Sequence, residues 1–144
     1  MSIAPHIWKL TWRQRGILLE SVASLGIARM MILTRPFSKV REMVKRGSSE
    51  ARPEDKNLNT INDIGVMVRR AARRLPWNCE CFVQALAAHW MLKRRSIPNK
   101  IHIGVKKDEE GNLLSHAWLI CGDQILTGAK GHESFQVITD FSEP

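Results

Sequence analysis

Cys79-Glu80-Cys81-Phe82-Val83-Gln84-Ala85-Leu86-Ala87-Ala88-His89-Trp90-Met91-Leu92-Lys93-Arg94-Arg95 is the stretch on which the fold turns. Leu75-Pro76-Trp77-Asn78 breaks the helical pattern before it and Ser96-Ile97-Pro98 stops it, since proline cannot continue a helix and drives the preceding residue toward extended backbone. Between the breaks, Cys81, Ala85, Ala88 and Leu92 fall at i, i+4, i+7 and i+11, the spacing of a buried helical stripe. The pattern predicts a helix from about Cys79 to Arg95 with two cysteines in its first turn. A thiol there faces the positive end of the helix dipole and free backbone N–H groups, which favour the reactive thiolate. The same N–H groups can stabilise an oxyanion. Position alone does not choose between Cys79 and Cys81.

Downstream the period changes. Ile101, Ile103 and Val105 alternate with His102 and Gly104, which reads as a strand. Lys107 to Asn112 is a charged turn, Leu114 to Ile120 a second strand, Cys121-Gly122-Asp123 a tight turn, Gln124 to Thr127 a third strand, and Phe135 to Ile138 a fourth after the Gly128–Glu133 loop. His116 opens the second strand. An imidazole presented from a strand toward a helix N-terminus can take a thiol proton and later protonate a leaving amine. Each signal has a bland counterpart: a cysteine in a helix is more often a small core residue, and a lone strand histidine is more often structural. Of the others, His89 reads as a helix surface or packing residue, His102 as exposed on the strand face opposite Ile101 and Ile103, and His6 and His132 as lying in flexible segments.

Upstream, Thr11 and Gln14 form a capping-box pattern. Leu18, Val22, Leu25, Met30 and Leu33 follow, up to Thr34-Arg35-Pro36. Glu20 and Arg29 interrupt the apolar run from Ile17 to Leu33, which is short and charged for a membrane span, so it reads as an amphipathic helix. A shorter basic helix is expected over Ser38–Arg46. Gly47 to Leu58 is polar and turn-rich, a loop or linker. A third helix should begin at Asn59 or Thr60, burying Ile61, Ile64, Val68 and Ala71 or Ala72. It displays Arg69, Arg70, Arg73 and Arg74, ordinarily a solvated face and less often a binding one. The expected organisation is α+β: a helical arm over 1–46 as a candidate partner-docking region, a linker over 47–58, and a core over 59–144 in which helices precede a small antiparallel sheet.

A chain of 144 residues with 44% hydrophobic and 25% charged residues suits one soluble domain. Its net charge of +8 favours an acidic partner, whether peptide, protein, nucleic acid or membrane surface. Three cysteines make no disulfide framework, and no secretory signal is recognisable, which implies the reducing cytoplasm. A zinc site from Cys79, Cys81, Cys121 and His116 lacks paired C-x-x-C spacing, so no metal is expected.

A helix bearing Cys, then a strand, then a strand bearing His is the chain order of papain-like and transglutaminase-like enzymes. Pro76-Trp77-Asn78-Cys79-Glu80-Cys81-Phe82-Val83-Gln84-Ala85-Leu86-Ala87-Ala88, Met91-Leu92-Lys93-Arg94-Arg95-Ser96-Ile97, Ile103-Gly104-Val105 and His116-Ala117-Trp118 together resemble the lasso peptide leader peptidases. These are transglutaminase-like cysteine proteases, here in the form where the protease half of a split maturation protein is a separate chain. Arg15 to Glu20 and Arg35-Pro36-Phe37 fit as well, so the resemblance covers most of the chain. It implies a transglutaminase-like, papain-like core with Cys81 as nucleophile and His116 as base, and so chooses Cys81 over Cys79. It implies a precursor peptide as substrate, with a RiPP recognition element protein and a lasso cyclase as partners, no cofactor, no nucleic acid and no membrane insertion. Arg69, Arg70, Arg73 and Arg74 are the candidate leader- or partner-binding residues. The family often has an Asp on the strand after the histidine. Here the position facing His116 falls near Gly128 or Ala129, while Asp123 sits at the turn tip and Asp140 one strand further on. The third member is unassigned, with a backbone carbonyl or a water able to take its place. The rivals are another transglutaminase-like amidase or acyl transferase, and a non-catalytic basic adaptor for an acidic partner or nucleic acid.

Overall fold

The computed structural model describes residues 10–49, 51–76 and 79–140. Four α-helices precede the sheet: α1 (Trp12–Thr34), α2 (Phe37–Gly47), α3 (Leu58–Arg74) and α4 (Cys81–Arg94). The strands follow as β1 (Lys100–Lys107), β2 (Leu113–Cys121), β3 (Gln124–Thr127) and β4 (Gln136–Asp140). All pairings are antiparallel, in the order β3-β2-β1-β4. The architecture is α+β with the helices N-terminal.

α4 is the centre of the molecule. Ala85, Leu86, Ala87, Ala88, Met91 and Leu92 are all fully buried, so the helix is covered around most of its circumference rather than along one stripe. The alanines let neighbours approach closely. α1 supplies Ile17, Leu18, Leu25 and Ala28 to the same core, α3 supplies Ile61, Ile64, Met67 and Val68, and the sheet supplies Ile101, Ala117, Leu119 and Leu126. The segment before Gly47 therefore shares one core with the segment after residue 58. Truncating a side chain such as Leu86 or Leu92 would cost about 2–5 kcal/mol in transfer and cavity terms.

α1 departs from the amphipathic expectation. It begins at the capping box, with the Thr11 side chain on the Gln14 backbone and the Gln14 side chain on the Thr11 backbone. One stripe is buried, yet Leu19, Ile27, Met30 and Leu33 are exposed, so the helix is apolar on both sides. By length and composition it could cross a membrane; here its buried stripe packs on α3 and α4. Polar clamps orient it. Asp63 of α3 accepts from Arg13 at 2.5 Å and from Gln14 at 3.3 Å. Glu20 accepts from Arg94 at 2.7 Å and from Arg95 at 2.5 Å, so the arginines ending α4 tie it to α1.

The helix-facing side of the sheet carries Ile101, Ala117 and Leu119. Strand alternation puts His102, Gly104, His116 and Trp118 on the outer side. His102 is not exposed as expected but half-buried edge-on to Trp118, with ring centroids 5.7 Å apart. His132 lies in a short 3-10 turn (His132–Ser134), tilted against the same indole. His6 lies outside the described residues. Buried His89 is a packing residue: its Nδ1 is 2.7 Å from Oδ1 of Asn99, which is itself buried.

Candidate active site

α4 starts at Cys81, two residues later than its spacing implied. Glu80 is the N-cap, in extended backbone and making no side-chain cap bond. The leading N–H groups of a helix have no intrahelical partner, and they project from the turn that carries the Cys81 thiol. Cys79 lies before the helix. Its carbonyl accepts from Nε2 of Gln84 at 3.0 Å, which fixes the entry loop and gives Gln84 a structural role. Burial pushes the Cys79 thiol above its ordinary range, against the opposing charge of Arg29. Burial also pushes Cys121 up to about 11, and its Sγ donates to the Pro98 carbonyl at 3.2 Å. Cys121 sits at the far end of β2, four residues beyond Ala117, about 13 Å along a strand.

The short third strand makes room for the thiol. β3 pairs with β2 only from Leu119 to Cys121, which leaves the β2 edge open at Ala117. There the Ala117 N–H donates to Sγ of Cys81 at 3.4 Å. Ala117 directly follows His116, so Cys81 is anchored one residue from the imidazole. Cys81 and His116 line one cavity of about 410 Å³, walled on its apolar side by Ile32, Phe82, Val83 and Ile103 and bordered by Arg29. His116 also lines a second hollow on its other side, with Arg69, Gly128 and Lys130.

His116 is held at Nε2 by the Gly128 carbonyl, 2.7 Å away. A carbonyl only accepts, so Nε2 carries the hydrogen and Nδ1 is left as the basic nitrogen. The ring stacks on Phe135 at 5.1 Å and on Trp118 at 5.8 Å between centroids. Gly104 stands opposite His116 in the β1–β2 register, and a Cβ there would come within 2.8 Å of the Phe135 Cβ and 3.0 Å of the Trp118 ring. The glycine of Ile103-Gly104-Val105 thus makes space for the two aromatics. The position near Gly128 is occupied as its register implied, by a main-chain group. Asp123 pairs instead with Arg52 at 2.6 Å, and the backbone of Asp140 stands opposite His102 in the β1–β4 register, one strand beyond His116.

The arginine quartet is not one surface. Arg69 donates to the Leu126 carbonyl and so bridges α3 to β3. Burial, with the neighbouring Arg73 charge, holds its pKa below the ordinary guanidinium value. Arg70 is half-buried, and Arg73 and Arg74 are exposed. Among the described residues no three His, Cys, Asp or Glu side chains group as metal ligands.

Phe135 is the site-shaping residue that spacing does not single out, and the space-making role of Gly104 emerges only with Phe135 and Trp118 in place. The signal for that glycine is its position, opposite His116 in the hairpin.

No curated protein and no solved structure is matched by the chain. A family model does match, over residues 21–140, from the middle of α1 to the end of β4. That span covers both the thiol-bearing helix and the histidine strand, and the chain belongs to the transglutaminase-like superfamily, which includes cysteine proteases and acyltransferases.

Proposed function

We propose that this chain is a cytoplasmic cysteine peptidase that removes the leader from a lasso peptide precursor, with Cys81 as nucleophile and His116 as base. Superfamily membership supports the chemistry, and the sequence resemblance described above supports the substrate. One observation carries the catalytic assignment: Sγ of Cys81 sits at the uncapped start of α4, hydrogen-bonded to the backbone of the residue after His116.

The proton on Nε2 stays with the Gly128 carbonyl, so Nδ1 receives the thiol proton. The thiolate attacks the peptide carbonyl, a C–S bond forms, and the negative charge on oxygen develops before the leading N–H groups of α4. Nδ1–H then protonates the amine as the C–N bond breaks. Water, giving its proton to Nδ1, cleaves the thioester and regenerates the thiol. Gly128 takes the orienting part that a carboxylate plays in related triads; being neutral, it fixes the tautomer without adding a charge. A RiPP recognition element protein delivering the leader and a cyclase taking the released core are the partners this reading requires. The basic surface around Arg73 and Arg74 is the candidate contact for the former.

The test is precursor cleavage, with the recognition protein present, by wild type, Cys81→Ala and Cys79→Ala. Cleavage should vanish in the first variant alone. Cleavage that survives Cys81→Ala would remove the assignment. Cys81-dependent transfer of the acyl group to a primary amine, with no hydrolysis of the precursor when the amine is left out, would identify the acyl-transferase alternative.

A further inference from the structure

We propose that Arg29 is a specificity-determining residue: it binds the carboxylate of an acidic side chain on the peptide, next to the bond that Cys81 attacks. The inference rests on the peptidase reading above and names what that site selects.

Arg29 lies on the fifth turn of α1 and is half-buried at the border of the Cys81 cavity. Burying part of a guanidinium is ordinarily balanced by an acidic partner. The acids in ion pairs among the described residues have other partners: Glu20 with Arg94 and Arg95, Glu54 with Lys56, Asp63 with Arg13, Asp123 with Arg52 and Glu133 with His132. Arg29 belongs to none of these pairs, nor to the hydrogen bonds of the described side chains. Its charge nevertheless reaches the thiol loop, where it acts on Cys79. Glu80 lines the same cavity, and its negative charge weakens the local positive potential there.

The rest of the wall selects the occupant. Ile32, Phe82, Val83 and Ile103 are apolar and favour a hydrocarbon chain over a free inorganic anion. A guanidinium at the end of an apolar wall fits a chain carrying a carboxylate, which it can take in bidentate fashion. The occupant is thus an Asp or Glu flanked by apolar residues. The same guanidinium borders the exposed apolar hollow of α1 formed by Val22, Ile27, Met30 and Leu33, so apolar neighbours of that acid have a surface to follow.

Alkylation of Cys81 tests the anion site without any substrate. Iodoacetate and iodoacetamide form the same C–S bond and expel the same iodide, and differ in the charge beside the reacting carbon. In a Cys79→Ala background, the iodoacetate-to-iodoacetamide rate ratio at Cys81 should be about 5-fold higher with Arg29 than with Arg29→Gln, by the charge–charge energy expected at this range in a partly screened site. Arg29→Lys should keep most of the preference, Glu80→Gln should raise it, and salt should compress it. An unchanged ratio in Arg29→Gln overturns the proposal. The substrate class is tested on peptides differing as Glu or Gln at each position flanking the cut. Wild type should prefer Glu at one position and Arg29→Gln should not; equal kcat/KM for both peptides in wild type overturns the assignment to substrate. A Cys81 that shows the alkylation preference but cuts no peptide supports the anion site and counts against the peptidase reading alone.

Discussion

The carbonyl of Gly128 lies 2.7 Å from Nε2 of His116, and it can do so only because residue 128 has no side chain. Its φ is +72°, and a Cβ there would collide with the Ala117 carbonyl oxygen and the Trp118 Cβ. Gly131 provides a matched comparison: its φ is +77° with nothing near the Cβ position. Gly131→Ala should cost about 1 kcal/mol, the left-handed penalty alone. Gly128→Ala should cost about 2–4 kcal/mol, since a backbone collision on β2 adds to that penalty. Cys81-dependent turnover should fall at least tenfold in Gly128→Ala and less than twofold in Gly131→Ala. Urea unfolding and initial rates on both variants decide it; equal effects would deny Gly128 a positioning role.

The three cysteines should separate by reactivity. Iodoacetamide at pH 8, followed by peptide mapping, should modify Cys81 first and Cys79 more slowly, because burial pushes the Cys79 thiol up. Cys121, pushed up to about 11 and donating to Pro98, should react only when the protein unfolds. The protection of Cys121 in native buffer should exceed about 100-fold relative to the urea-unfolded chain, as the thiolate is the nucleophile. Rapid native labelling of Cys121 would contradict its packing.

Much of the fold was legible because the strong signals were local. The capping box at Thr11, the breaks at Pro76 and Pro98, and the alternation of Ile101, Ile103 and Val105 each act within a few residues, and the helices and strands formed where those signals stood. α4 starts two residues later than its spacing implies, because the Gln84 side chain holds the Cys79 carbonyl outside the helix from one turn ahead. The buried stripe of α1 is visible in its spacing and implies an amphipathic helix, while the equally apolar opposite side has nothing in the sequence to explain it. His116 and Cys81 could be paired by chain order. The register places Gly128 or Ala129 opposite His116 and leaves a backbone carbonyl or a water as the third member; that it is the Gly128 carbonyl depends on where the four-residue β3 stops, since a main-chain acceptor leaves no residue-type signature.

Glu20 should be a structural hinge point between α1 and α4. Hydrogen bonds from Arg95, followed by those from Arg94 and the charges of both arginines, outweigh burial and hold its carboxyl below the ordinary range. Glu20→Gln leaves two guanidinium groups without their shared acceptor and should cost about 1–2 kcal/mol, less at high salt because the pair is partly exposed. The sign with pH follows from the depressed folded value. The contribution is complete above the unfolded carboxylate value, about 4.3, and is lost as pH falls through the lower folded one. Wild type and Glu20→Gln should therefore converge in stability in acid. A difference that persists undiminished well below pH 3 would show that the loss is packing and not charge.

His89 should make the fold acid-sensitive nearer neutrality. Burial lowers its pKa, and the nearby Lys93 charge adds to this, against the raising effect of the Asn99 hydrogen bond. The Asn99 amide is oriented by donating Nδ2 to the Ile97 carbonyl at 3.0 Å, so its oxygen faces the imidazole and His89 donates from Nδ1. The neutral ring already satisfies that contact, and a second proton would place a charge among buried apolar groups. Between the unfolded value near 6.5 and the lower folded value, the unfolded chain takes up a proton that the native state refuses. Stability should thus be full above about pH 6.5 and decline as pH falls through that window. His89→Gln keeps a donor for Asn99, should cost about 1–2 kcal/mol at pH 8, and should flatten the profile. Urea unfolding free energies at half-unit steps from pH 8 to 5 measure it, and parallel curves for the two proteins would assign the acid loss to other groups.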